Sequence, residues 1–318
     1  MRDNNLFTSN FNILLKYLLK ISVFLLVYSA VLFAIYFQPY KYDNFFQSAE
    51  LKADRLKKTE PQIILVGGSN TLFGIDSEMI VKATGYDVVN MGIHMGLGYY
   101  FQTNQIIKDL AKRDIVVLSP EYVSYFEDKQ VNPRMLNQIS EHYPSILWQF
   151  DKLNRPKLLY DHFLDKIKKN IIYIQEGKDY NLGPVGGYSY SGVNEYGDQT
   201  DHLSAEVGSE LGRWNMRVYK GREFHPVFKA QTDKLIARCE SIGCKVVFTF
   251  PAIARSAFDE GVANRVADEI DALGYVRMGQ PSDYVFEPEE FYDTHYHPLK
   301  KARALRTQML VEELKKII

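Results

Sequence analysis

The sequence predicts an α/β protein with a parallel sheet covered by helices on both faces, tethered by one apolar amino-terminal helix. Three observations carry that expectation. From residue 62 onward, short β-branched runs alternate with longer helical patterns, the rhythm of strand-crossover-strand units. The runs are apolar at successive positions rather than alternate ones, as strands buried on both faces require. Residues 21–40 contain no charged side chain.

Composition allows this. Of 318 residues, 46% are hydrophobic and 24% charged, so the chain can bury a core and is not disordered. Once the apolar segment is set aside, the remainder is about the upper size of one domain. A formal net charge of -1, with no long basic run, argues against a nucleic-acid partner. The two cysteines, Cys239 and Cys244, exclude a cysteine-rich metal site. They lie between an expected helix and strand, where either a short disulfide or two thiols would fit.

At the amino terminus, ISVFLLVYSAVLFAIYFQPY follows LLKYLLK and is long enough to cross a hydrocarbon core of about 30 Å. Its length and the lack of a small-x-small site favour an uncleaved anchor over a signal peptide. The span is set at 18–40, within a tail and anchor at 1–43. Arg2, Lys16 and Lys20 precede it, while Lys41, Lys52, Arg55, Lys57 and Lys58 follow, so charge alone does not orient it. A short first tail favours the cytoplasm, placing the bulk of a single-pass protein outside.

A polar connector is expected at 44–61 and one domain at 62–318. Its strands are read at 62–67, 87–92, 114–120, 244–251 and 274–279, with helices at 104–112, 226–241, 257–273 and 299–317. An insertion at about 124–225 interrupts them. It holds helical stretches at 135–150 and 156–175 and then a Gly- and Tyr-rich segment, and is read either as a cap or lid over a substrate or as an elaborated surface loop packed on the sheet edge.

Three segments carry chemistry. The first strand ends in Gly67, Gly68 and Ser69, at the carboxyl edge where open α/β sheets bind ligands. It lacks both a dinucleotide fingerprint and the Gly-Lys of a phosphate loop. After the second strand come Asn90 and Gly92, whose backbone N–H could serve an oxyanion. Near the end, FYDTHYHPLKKARALRT sets Asp293, His295 and His297 on a loop before the last helix, giving an acid and a base in the order Ser, Asp, His. No further histidine or carboxylate cluster completes a metal site, and neither metal nor cofactor is expected.

These segments, in this order, resemble the SGNH/GDSL hydrolase superfamily, and within it the membrane-anchored bacterial branch linked to acylation or deacylation of surface polysaccharides. The resemblance covers roughly 62–310. Gly68-Ser69-Asn70 is similar to the nucleophile block, Asn90-Met91-Gly92 to the glycine block, and Asp293 with His297 to the terminal block. Asn194-Glu195-Tyr196-Gly197-Asp198 looks like a loop of some anchored members.

The resemblance implies a flavodoxin-like three-layer α/β/α sandwich. It also implies a triad of Ser69, Asp293 and His297, and an oxyanion hole from the N–H groups of Ser69 and Gly92. An acylated glycan is the implied substrate, at the bacterial cytoplasmic membrane, with polysaccharide biosynthesis or export proteins as partners. Asn70, Asn90, Glu121, Tyr122, Asn194, Asp198, His202 and His295 are candidates for contacts around the reacting groups or with substrate.

Two positions depart from the family pattern. The family's usual spacing is Asp-x-x-His, whereas Asp293 is two residues before His295 and four before His297, so the base is open between them; resemblance to anchored members that read Asp-x-x-Tyr-His implies His297, with His295 as a neighbouring contact. Ser119-Pro120-Glu121-Tyr122 stands where an Asn amide would enter the oxyanion hole, and an ionised Glu121 cannot donate a hydrogen bond. A non-catalytic, glycan-binding or scaffolding protein of the same fold is the competing expectation.

Overall fold

The computed structural model describes residues 4–38, 45–56, 61–127, 133–148, 152–153, 155–176, 187–206 and 211–318. Arg2, Tyr40, Lys41, Lys57, Lys58 and the start of the Gly- and Tyr-rich segment lie outside the described residues. In chain order the elements begin with α1 (Asn4–Tyr36) and α2 (Ser48–Leu56). Next come β1 (Gln62–Gly67), α3 (Ser69–Gly74), α4 (Ser77–Thr84), β2 (Asp87–Asn90), α5 (Gly98–Asn104) and β3 (Ile115–Ser119). Then follow α6 (Tyr122–Phe126), α7 (Pro133–His142), α8 (Arg155–Glu176), α9 (Pro226–Ile242) and β4 (Lys245–Phe248). The chain closes with β5 (Ile253–Ala254), α10 (Glu260–Ala272), β6 (Val285–Phe286) and α11 (Lys300–Leu314).

The chain divides into two compact units, Met1–Lys41 with Tyr160–Asn181, and Tyr42–Leu159 with Leu182–Ile318. In the first, Ile13–Tyr36 of α1 has a mean hydropathy of 2.4 and no burial, so it is long and apolar enough to cross a membrane.

The second unit is a mixed α/β body on a four-stranded parallel sheet of order β2-β1-β3-β4. Period-two alternation sorts the strand side chains into two clusters. Ile64, Val66, Val116, Leu118 and Phe248 pack with Tyr99, Phe228, Leu235 and Val266, and so against α5, α9 and α10. Ile63, Leu65, Val88, Ile115 and Val117 pack with Ile80, Leu310 and Leu314, and so against α4 and α11. Both sheet faces are thereby covered, which is why these strands read as continuous apolar runs. The register pairs Gly67 with Ser119 and Leu65 with Asn90, so the segments after β1, β2 and β3 emerge at one edge.

Several expected elements differ. Residues 274–279 form no strand: Gly274 and Gly279 take positive φ of 74° and 69°, and a single bridge joins Arg277 to Phe248. The helix expected at 104–112 lies earlier, at α5, where Tyr99 and Phe101 are buried; residues 105–109 are turns. The expected connector holds α2, whose Ser48, Ala49, Lys52, Ala53 and Leu56 are buried along one face. The helix expected from 257 starts at Glu260, because Asp259 caps it by accepting from Val262 N. Cys239 and Cys244 are joined in a disulfide at the end of α9.

Candidate active site

Ser69 opens α3 directly beyond β1 and is 8% exposed. Its hydroxyl donates to Glu121 Oε1 at 3.3 Å, and Asn70 N–H donates to the same oxygen at 3.2 Å. A Cβ at Gly68 would lie 2.6 Å from Glu121 Oε1 and 3.0 Å from Met95 N, so glycine lets the carboxylate come this close. Asn70 faces inward, its Oδ1 accepting from Gly68 N at 3.0 Å and its Nδ2 donating to Ser119 O at 2.8 Å. It therefore fixes the turn that presents Ser69. Glu121 is buried, and its carboxylate accepts from the Ser69-Asn70 segment rather than capping α6, to which its side chain makes no cap bond.

The Asn90 side chain closes the glycine turn on itself, because Gly92 N–H donates to Asn90 Oδ1 at 2.9 Å. A substrate oxygen seeking that N–H would compete with the side chain. Gly92 is obligatory for space: a Cβ would stand 2.6 Å from Leu72 N. Asn90 Nδ2 donates to Thr71 O at 2.9 Å and to Asp198 Oδ1 at 2.7 Å, linking this turn to α3 and to the 194–198 loop.

Beneath the turn lies a buried ionic lattice. Asp198 accepts from Ser77 N, Ser77 Oγ and Arg303 Nη2 at 2.8, 2.6 and 3.2 Å. Asn194 shapes that loop locally, its Oδ1 accepting from Tyr196 N and Asp198 N. Lys52, fully buried, directs its three N–H bonds at Asn90 O, Gly92 O and Gly197 O at 2.8, 2.5 and 2.7 Å. Only an ammonium has three donors. Burial lowers Lys52 to about 7, against the opposing charge of Asp198, and the three carbonyls stabilise the charged form.

At the terminal block, His297 Nδ1–H donates to Asp293 Oδ1 at 2.7 Å. That bond fixes the tautomer, so Nε2 of the neutral ring is the basic nitrogen. Tyr188 supplies the second donor, its hydroxyl lying 2.5 Å from Asp293 Oδ2 and 3.2 Å from His297 Nδ1. Burial works to raise the Asp293 carboxyl, but the hydrogen bond and charge of His297, with the Tyr188 bond, outweigh it and hold the carboxyl below its ordinary value. Phe73, one helical turn beyond Ser69, stacks on the His297 ring with centroids 4.1 Å apart, and Tyr188 packs on Phe73 at 5.1 Å. The imidazole is thus placed beside the helix that Ser69 begins.

Among the described residues no hydrogen bond joins Ser69 to His297 or His295; the Asp-His link is made and the Ser-His link is not. His295 points elsewhere: its buried ring nitrogens have no hydrogen-bond partner, and it lies 5.9 Å from the Trp214 ring. Tyr122 is fully buried with an unpartnered hydroxyl. His202 Nε2 donates to Pro298 O at 3.1 Å and its ring meets Phe73 edge-on, buttressing the same helix. No group of residues that could hold a metal occurs among the described residues.

Sequence reasoning passed over Lys52, Tyr188, Phe73 and Arg303. The spacing of Ser48, Ala49, Lys52, Ala53 and Leu56 could have revealed a helix with one buried face, and hence an inward lysine. Nothing local marks Tyr188 among 22 tyrosines. No family model matches the chain, and no curated protein sequence matches it.

Proposed function

We propose that this protein is a serine-dependent acyl-ester hydrolase or O-acyltransferase of the SGNH/GDSL type. On this reading it acts through an acyl-enzyme on small acyl groups, most simply acetyl, carried by a cell-surface glycan. α1 anchors it in the bacterial cytoplasmic membrane with the second unit outside, where the Cys239–Cys244 bond suits an oxidising compartment. The fold we assign is the flavodoxin-like three-layer α/β/α sandwich, on the strand order 2-1-3-4 and the two covered sheet faces.

The observation that carries the reading is the Asp293-His297 pair. Its carboxylate is saturated by two donors, its ring is locked against the helix of Ser69, and its Nε2 is left as a base. In the proposed step Ser69 Oγ attacks the ester carbonyl carbon while its proton passes to His297 Nε2. The oxyanion faces the N–H groups of Ser69 and Gly92, and Asn70 N–H joins them when Glu121 yields it. Collapse expels the sugar oxygen, which takes the proton from His297. Water or a glycan hydroxyl then attacks the acyl carbon, returning its proton through His297 to Ser69.

A second reading, a non-catalytic glycan-binding or export-scaffold protein, is favoured by one observation: the Ser69 hydroxyl is turned to Glu121. Fluorophosphonate labelling of the full-length protein separates the two. The acyl-transfer reading expects labelling that is lost in Ser69→Ala and strongly slowed in His297→Asn. Equal labelling of wild type and Ser69→Ala, or none in wild type, supports the binding protein instead.

A further inference from the structure

The first unit contains a helix whose amphipathicity is inverted. Along α8, the apolar side chains Tyr160, Phe163, Leu164, Ile167, Ile171 and Ile174 fall on one stripe at helical spacing. That stripe faces outward, with Tyr160 61% and Ile174 53% exposed. The buried residues of α8 are His162, Lys166, Lys169 and Asn170. A helix in water does the reverse, and an exposed apolar stripe rimmed by polar groups marks a surface that something apolar covers.

What lies against the polar face is the end of α1. Asn170 Nδ2 donates to the carbonyls of Ile35 and Tyr36 at 2.7 and 3.1 Å, satisfying orphan acceptors of its last turn. Tyr36 shares a 3.2 Å hydrogen bond with His162 Nε2, and Lys166 sits 4.5 Å over the Tyr36 ring. Cationic side chains at this point also suit the negative end of the α1 dipole. Phe163 stacks on Tyr36 at 5.6 Å and lines one apolar cleft with Ser29, Leu32, Phe33 and Phe37. The outward stripe of α8 is therefore continuous with the exposed apolar flank of α1.

We infer that α8 lies in the lipid-water interface beside the end of the anchor, its stripe turned into the bilayer and its polar face turned to α1. This rests on reading α1 as a membrane span. Lys166, Lys168 and Lys169 make α8 too polar to cross a bilayer itself, whereas a helix of low net hydrophobicity with an apolar stripe and a polar lysine-bearing face is the kind that lies flat at about the acyl-headgroup boundary. The bilayer is the occupant that α1 brings to this place, since a helix docked on the end of a span is held where headgroups meet hydrocarbon. The attachment then has two parts, a transverse helix and a flat one, and the insertion beginning near 124 supplies the second.

The test uses the full chain in bilayers of phosphatidylcholine and phosphatidylglycerol, with nitroxides on single introduced cysteines; Cys239 and Cys244 are bonded and do not take label. Labels go on Leu164→Cys and Ile171→Cys, with Leu25→Cys in α1 as lipid reference and Glu312→Cys on α11 as water reference. Labels at 164 and 171 should collide more with oxygen than with a water-soluble nickel chelate, at a shallower depth than 25. Nickel accessibility matching position 312 would overturn the inference. So would labels shielded from both reagents, which would mean that a protein surface covers the stripe. Nickel accessibility at 25 would instead overturn the span itself.

Discussion

The Tyr188 hydroxyl and the Asp293 carboxylate are joined by a 2.5 Å hydrogen bond at Oδ2, while the other oxygen, Oδ1, takes the proton-bearing Nδ1 of His297. The carboxylate charge is thus shared between two donors. Groups that face the imidazole electrostatically are Asp293 from its own loop, Tyr188 from the insertion, His94 after β2, and His202. Removing the phenol hydroxyl concentrates the charge of Asp293 on His297. Under the acyl-transfer reading Tyr188→Phe, which keeps the ring packed on Phe73 but takes one donor from Asp293, is expected to speed fluorophosphonate labelling of Ser69 by about two- to fivefold.

Glu121 holds the N–H of Asn70 and the hydroxyl of Ser69 on one oxygen. Under the acyl-transfer reading Glu121→Gln removes the negative charge and adds an amide donor beside the developing oxyanion. An oxyanion donor is worth roughly 10²–10³ in rate. The variant is expected to label with fluorophosphonate on the order of tenfold faster than wild type. A slower reaction would assign the carboxylate a supporting role in turnover.

Lys52→Met leaves the carbonyls of Asn90, Gly92 and Gly197 without their buried donor and removes a cation near Asp198. Breaking such a buried charged cluster costs about 3–5 kcal/mol. Urea unfolding is expected to show a loss in that range, with slower labelling of Ser69 in the fraction that stays folded.

Burial lowers His202 to about 3, with the Arg303 charge adding to the effect, and burial lowers His94 to about 4. The unfolded chain therefore binds protons that the fold does not from about pH 6.5 downward, so stability falls as pH falls through that window. Asp293 acts in the same direction lower down: its depressed folded pKa contributes stability that is lost as pH drops below the ordinary carboxylate value. Unfolding free energies from urea titrations at pH 7.5 and 5 should differ, by up to about 1.4 kcal/mol per pH unit for each buried histidine. His202→Gln, which keeps a donor for Pro298 O, should flatten that dependence.

The Cys239–Cys244 bond closes a short loop across Gly243, which has a φ of 80° at the end of α9. By loop-closure entropy, a ring of about six residues stabilises by roughly 2 kcal/mol. The double Ser variant is expected to melt lower by the corresponding amount, and reductant should lower the wild-type melting temperature toward it without affecting the variant.

The strands β1 to β4 and the carboxyl-edge position of Ser69 were legible because buried parallel strands leave continuous apolar runs and a glycine pair ends the first one. The fifth run failed because Gly274 and Gly279 bend it away after a single bridge. Asp293 was legible beside two candidate bases, His295 and His297, which spacing alone did not separate; the hydrogen bond from His297 Nδ1 to Asp293 Oδ1 is what distinguishes them. Their support was not legible, because Tyr188 arrives from more than a hundred residues earlier and Lys52 from a stretch whose charge hid its buried face. Local composition reports exposure on average. It does not report a lysine whose three protons all have acceptors inside.

The Lys52 ammonium gathers residues 90, 92 and 197 at a single atom, although the first and last are separated by about a third of the chain. A soluble fragment cut at residue 62, where the first strand begins, would keep every strand, Ser69, Asp293 and His297, yet expose three inward carbonyls to an empty space. A fragment of the second unit that keeps these three bonds must therefore include α2.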